Sequence, residues 1–371
     1  MSRGEEHKLV SIEILRFLCS FSVLVWHYQH FYFDPAAAGT AFERSQQPLY
    51  WLLHPFYDFG WLGVNFFWSI SGFIFFHKYR SAIGAGTVSS YAFLVRRFSR
   101  LYPLHFATLL AVAAMQYLVY RPATGAFFVY DHNSGPDFLL QLLFASGWAS
   151  STTDAFNGPI WSVSAEVLVY VLFFLLARHL RMGLAGTLAM IVLSAAAGGV
   201  LIHHQVKGNV SNVVFCCFYF FLGGGVAVML ERFSAPIARY RMALTLGCGA
   251  LCLAAMGMFE AIGFTKYLFA TLLAPASIFL LGISEPYLPK AIAGRIAVLG
   301  NMTYSSYLVH FPLQIVAASV LPVRELAGRP AFLLAYLAGV LVLAAGVYRW
   351  FEVPAQDFLR RRMMGFAFGR P

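Results

Sequence analysis

The sequence predicts an all-α fold, a polytopic transmembrane helical bundle of about ten spans with both termini cytoplasmic. Three observations carry this reading. Hydrophobic residues make up 60% of the chain, charged residues only 11%, and mean hydropathy is +0.69, which excludes an ordinary soluble domain. Apolar runs near the length of a bilayer crossing, about 20 residues, recur along almost the whole chain. The basic residues between those runs favour alternate connections, as the positive-inside rule requires.

The runs place spans at 9–32, 60–78, 101–120, 159–179, 184–202, 213–231, 242–260, 266–284, 296–320 and 331–352. The first carries Arg16 in its first half. Although Ala36-Ala37-Ala38 imitates a processing site, the run is too long for a signal-peptide core and is read as a retained span. The second is rich in small residues from Gly63 to Gly72, which let helices approach closely. The third follows the cluster Arg96-Arg97-Phe98-Ser99-Arg100. A run from Phe138 to Trp148 is too short to cross and predicts an interfacial or re-entrant helix. The fourth opens after Asn157-Gly158-Pro159 and contains Glu166, and the fifth ends at His203-His204. The next three are plain apolar runs, the ninth holds Tyr304 to Pro312 with His310, and the tenth ends at Glu352. No fixed-period repeat is visible, which weighs against a duplicated transporter fold.

With the N-terminus inside, 18 of the 26 basic residues fall in inner segments and six in outer loops, Arg16 and Arg349 lying within spans. The net charge of +10 is thereby explained by topology, and no nucleic-acid partner is expected. All five cysteines lie in apolar runs without zinc-ligand spacing, so they read as core filler and no metal is expected. The outer loops 33–59 and 121–158 are longer than a connection needs and mix carboxylates with aromatics. That mixture suits a glycan acceptor, and equally a solvated loop with interfacial anchors.

Chemistry enters with the charged groups at membrane depth, which are costly and therefore functional or paired. Arg16 and His27 are eleven residues apart, within about 20° of each other on a helix and about 16 Å apart along it. Glu13, at i,i+3 from Arg16, is the alternative partner that would make Arg16 merely structural. Arg97 and Arg100, also i,i+3, share a face at the inner edge, where paired guanidiniums can grip a pyrophosphate. Helix rise puts Arg16 about 10 Å, His310 about 21 Å and His27 about 27 Å from the inner ends of their spans, with Glu166 about 10 Å from the outer end of its own.

These residues resemble the acyltransferase family 3 membrane enzymes, which O-acylate bacterial surface polysaccharides. Arg16 with His27 is similar to the family's basic-residue/histidine signature, and Arg97-Phe98-Ser99-Arg100 to its paired-arginine motif. Val64-Asn65-Phe66-Phe67 through Ser71-Gly72-Phe73 matches a further block. Trp161-Ser162-Val163-Ser164-Ala165-Glu166, then Ser306-Tyr307 with His310 and Pro312, then Tyr348 to Pro354 with Glu352, continue the expected order. The span-four block departs from the family in having Val167 where a second acidic residue is usual, so only Glu166 carries over. The sequence runs 19 residues past Glu352, so the hydrolase-like domain some members append is not expected here.

The resemblance implies a transmembrane acyltransferase domain over 1–355, with 356–371 a basic cytoplasmic tail. It implies residence in a bacterial inner membrane and transfer of an acetyl group from cytosolic acetyl-CoA, a co-substrate rather than a bound cofactor, to a hydroxyl of an extracytoplasmic or lipid-linked glycan. In that scheme Arg97 and Arg100 hold the donor phosphates, the thioester arm passes Arg16, and His27 is general base. Glu166 or His310 orients His27 or binds the acceptor. Ser71, Ser164 and Ser306 are candidate oxyanion donors, and Trp161 and Tyr307 are supporting polar residues. Direct transfer and an acyl-enzyme on His27 or a serine are both open, as is oligomeric state. The competing class is a flippase or transporter of a glycan or small acid on the same fold.

Overall fold

The computed structural model describes residues 9–34, 42–149, 154–262, 266–288 and 290–367. Among them every regular element is helical. The main ones are α1 (Val10–His27), α2 (Tyr50–Phe59), α3 (Gly63–Phe75), α4 (Ser90–Met115), α5 (Gly135–Leu142), α6 (Trp161–Leu180) and α7 (Leu184–His203). They continue with α8 (Asn209–Arg232), α9 (Ser234–Ile262), α10 (Lys266–Ser284), α11 (Lys290–Asn301), α12 (Thr303–Val320), α13 (Pro330–Val347) and α14 (Val353–Ala367). Nine helices among the described residues are long and apolar enough to cross a membrane. The protein is thus a polytopic helical bundle, as its composition requires.

The ninth expected span, 296–320, is divided: α11 ends at Asn301 and α12 begins at Thr303. Tyrosines, serines, His310 and Gln314 make α12 too polar to stand in lipid, and it is instead buried from Thr303 to Phe311. Part of the expected outer loop 33–59 is helical: α2 leads through one 3₁₀ turn into α3, so the second apolar unit runs from Tyr50 to Gly84. Pro55 in α2 reads as a loop residue, yet the helix accommodates it. The short apolar segment after 135 is α5, closed by a capping box in which the Ser134 hydroxyl accepts from the Asp137 amide. Ser89 caps α4 by accepting from the Ala92 amide, which puts Arg96 to Arg100 inside a helix instead of ahead of it. Residues 356–367, expected as a basic tail, extend the α13 helix as α14.

Packing explains which helices are central. α1 buries Ile12, Glu13, Leu15, Cys19 and Val23, spaced for one face, against α3, α11 and α12. α3 and α8 cross at the closest point of the bundle. A Cβ on Gly72 would meet the Phe220 carbonyl, and one on Gly223 the Ser69 carbonyl, so each glycine admits the other helix's backbone. Around them Phe73, Phe75, Phe76, Phe173, Phe220 and Phe221 fill a buried aromatic core. α7 and α9 keep large apolar side chains such as Val192, Leu193, Leu246 and Leu253 exposed, the mark of a lipid-facing periphery.

Candidate active site

A cavity of about 670 Å³ opens at the end of the bundle where α1 and α4 begin and α14 lies. α1 contributes Ile12, Glu13 and Arg16; α3 contributes Phe67, Trp68, Ser71 and Phe75. α4 adds Arg96, Arg97 and Arg100; α6 adds Ser162, Glu166 and Tyr170; α12 adds Thr303, Tyr304 and Tyr307. The mouth is completed by Gln356, Arg360 and Met364 of α14. Two π-helical turns bear on it, one directly and one through Arg100. Phe76–Arg80, continuing α3, brings His77, Lys78 and Tyr79 into the wall. Tyr348–Glu352, joining α13 to α14, turns Glu352 inward. Such local over-widening of a helix recurs at functional sites.

The arginines of this cavity are held in distinct ways. Arg16 pairs with Glu13 at 2.9 Å, the i,i+3 partner visible in the sequence. Arg100 pairs with the buried Glu352 at 2.5 Å, whose other oxygen accepts from the Ser305 hydroxyl. Half the charge of the Arg97/Arg100 pair is thus matched inside the protein. Arg97 forms no close ion pair among the described residues, Glu166 being a carboxylate of the same cavity. It donates to the Tyr79 hydroxyl at 2.7 Å and lies 4.7 Å from the Phe75 ring centroid, an attraction of cation to aromatic face. Glu166 is buried and lines the cavity with Ser71 and Tyr170, its Oε1 lacking a hydrogen-bond partner among the described residues.

His27 lies beyond this cavity, in a second compartment built of imidazoles. Its ring centroid is 4.8 Å from that of His310 and 5.0 Å from that of His30, and all three are buried. Carbonyl oxygens only accept, so the contacts fix the tautomers. His27 Nδ1 donates to the Val23 carbonyl at 2.9 Å and His310 Nδ1 to the Tyr307 carbonyl at 2.7 Å. His30 Nδ1 donates to Gln314 Oε1 at 3.0 Å, and the Gln314 amide donates to the His27 carbonyl at 2.9 Å. The Nε2 lone pair of each imidazole is left available, as a general base needs. Tyr130, in the loop after α4, packs edge-on to His30 at 5.8 Å, and burial holds its hydroxyl well above the ordinary phenol range.

Tyr307 and Ser162 stand between the two compartments. Both line the cavity, and their hydroxyls are 2.8 Å apart; the Tyr307 hydroxyl also reaches the Pro159 carbonyl. The Tyr307 ring is 6.0 Å from that of His310.

Of the residues expected from the sequence, Arg16, Ser71, Arg97, Arg100, Glu166 and Tyr307 therefore meet in the cavity, and His27 and His310 meet in the second compartment. No contact joins Glu166 to His27 among the described residues; the His27 ring is held within α1 by the Val23 carbonyl, and Gln314 bonds the His27 backbone carbonyl and the His30 ring. Ser164 points away, its hydroxyl donating to the Phe144 carbonyl and accepting from the Gly147 amide. Ser306 is occupied with Ser20, 2.7 Å away across α1 and α12. Trp161 stacks edge-on to Trp68. None of these three is among the residues that line the cavity. Residues to which the sequence reading gave no role include Tyr79, Ser162, Tyr170, His30 and Gln314. His30, three residues after His27, and Ser162, inside the Trp161 to Glu166 block, carry a local signal; the others are joined to the site by packing between distant segments.

Comparison with known proteins fits this arrangement. The family model described as an acyltransferase domain, Acyl_transf_3, matches residues 9–349, so it includes the imidazole cluster and the cavity apart from the mouth residues of α14, and ends ahead of Glu352. The chain is 29% identical over 177 residues to Acyltransferase MdmB of Streptomyces mycarofaciens, a match spanning 47% of this chain and 40% of that protein. It is 28% identical over 151 residues to Protein 2 in picA locus of Rhizobium radiobacter, spanning 38% of this chain and 76% of that one. No solved structure matches the chain. A family match over nearly the whole bundle, on a fold that brings together the residues carrying the resemblance, places this chain in the acyltransferase family 3.

Proposed function

We propose that the protein moves an acetyl group from cytosolic acetyl-CoA to a hydroxyl of an extracytoplasmic or lipid-linked glycan, in a bacterial inner membrane. The observation that carries the reading is a cationic cavity whose lining residue Tyr307, hydrogen-bonded to Ser162, lies 6.0 Å from His310 of a buried imidazole cluster. An anionic donor enters at the arginine end, its phosphates against Arg97 and the outer edge of Arg100, with the thioester carbon directed past Arg16 towards Ser162 and Tyr307. The acceptor approaches from the opposite end. His27 Nε2 takes the proton from the acceptor hydroxyl as its oxygen bonds the acyl carbon; the carbon–sulfur bond breaks and the thiolate receives that proton from the imidazolium. For this step the hydroxyls of Tyr307 and Ser162 part from each other, and either then serves as donor to the developing oxyanion.

The test measures base-labile acetate on surface glycans of a deletion host carrying wild-type protein or His27→Ala at matched membrane abundance. Acetate present only with the wild type supports the reading, and its sugar position identifies the acceptor. Full acetylation by His27→Ala removes His27 from the catalytic role. Absence of acetate with both, alongside glycan export that depends on the wild-type protein, supports transport instead.

A further inference from the structure

The mouth of the cavity holds more positive charge than the proposed grip of Arg97 and Arg100 on a pyrophosphate uses. Five arginines line it, against three carboxylates when Glu352 is counted with Glu13 and Glu166. Glu13 and Glu352 are spent on Arg16 and Arg100. Arg96 and Arg360 form no ion pair among the described residues, and the buried Nε of Arg360 has no hydrogen-bond partner there. Guanidiniums at a partly buried mouth without an internal counterion call for an anionic ligand.

Two ties fix where these arginines lie. Arg100 reaches Glu352, and the Tyr91 hydroxyl donates to the Met363 carbonyl at 2.8 Å. α4 and α14 therefore run antiparallel, and both Arg96 and Arg360 fall between the ties, on the side nearer the opening than Arg100. A coenzyme A thioester inserted acyl end first leaves its nucleotide nearest that opening, and the nucleotide carries a phosphate monoester on the ribose as well as the pyrophosphate. Resting on the donor reading above, we propose that Arg360, with Arg96, forms a second phosphate subsite that takes the ribose monoester, making α14 a wall of the donor site. A phosphate monoester brings a charge of about −2 and three acceptor oxygens, enough for two guanidiniums.

The experiment is isothermal titration of the purified full-length protein in lipid nanodiscs with coenzyme A and with 3′-dephospho-coenzyme A. Wild type is expected to bind coenzyme A about tenfold more tightly than the dephospho form, the worth of a charge-assisted contact. Arg360→Gln is expected to bind both nucleotides equally, at the wild-type affinity for the dephospho form, and Arg360→Lys to regain part of the preference. Retained binding of the dephospho form shows that the variant is folded. A wild type that binds both equally, an Arg360→Gln protein that keeps the tenfold preference, or one that binds neither overturns the subsite while leaving the donor reading standing. A wild type that binds neither nucleotide overturns both.

Discussion

At the scale of single residues, the structure separates charges that hold the fold from charges available for chemistry. Glu352 is buried beside Ser305 while its partner Arg100 stays part-exposed, so removing the carboxylate costs less than the about 3–5 kcal/mol of breaking a fully buried pair. Glu352→Ala is therefore expected to lower the thermal midpoint of the detergent-solubilised protein; an unchanged midpoint would show that the pair contributes nothing to stability. Tyr307→Phe removes one hydroxyl that meets both Ser162 and the Pro159 carbonyl. It is expected to slow acyl transfer about tenfold or more while leaving coenzyme A affinity unchanged, since the loss falls on the partition and not on the mouth. Equal loss of affinity and rate would return Tyr307 to a purely structural role. The Arg16–Glu13 pair was legible in the sequence because i,i+3 neighbours on a helix are a local matter. The shared face of Arg16 and His27 was legible too, but not that Tyr307 and Ser162, from two other helices, divide the space between them.

At the scale of elements, apolar length located the helices well and said little about their joints. The 3₁₀ turn between α2 and α3, the π-helical turns at Phe76–Arg80 and Tyr348–Glu352, and the break at Met302 all depend on one-residue changes of helical register. Those changes are set by what the side chains meet, not by composition. Small residues in α3 were visible as a sign of close approach, whereas the partner, Gly223 in α8, emerges only from the fold. The reciprocal contact makes a sharp prediction. Gly223→Ala puts a methyl group against the Ser69 carbonyl with no side chain able to yield, so the helices must separate, at about 1–3 kcal/mol for overpacking. Gly199→Ala, where a Cβ meets nothing within 4 Å, is the control and is expected to be neutral or slightly stabilising. Equal thermal midpoints for the two variants would show that α3 and α8 do not cross so closely.

At the scale of the whole molecule, the transfer scheme needs the arginine-lined cavity to face the cytosol and the imidazole cluster to be reached from the other side. Nine apolar helices alone would put the two chain ends on opposite faces; the polar α12 decides the parity. Its first residues, Thr303 and Tyr304, line the cavity near the arginines, while His310 joins the imidazoles and Phe311 packs on Phe128 in the loop after α4. α12 thus runs from one end of the bundle towards the other, and its polar groups are tolerated because protein, not lipid, surrounds them. Counting it as a crossing gives ten and restores the basic asymmetry read from the sequence. Fusions test this directly. Alkaline phosphatase joined after Gly86, in the turn between α3 and α4, is expected to be inactive and a fluorescent protein there bright, because that turn lies at the arginine end. Joined after Gly328, between α12 and α13, the phosphatase is expected to be active, and after Tyr287, ahead of α11, inactive. Equal activity at Tyr287 and Gly328 would mean that α12 does not cross, that α14 and α1 start from opposite faces, and that the cavity cannot draw its donor from the cytosol in the way the transfer scheme requires.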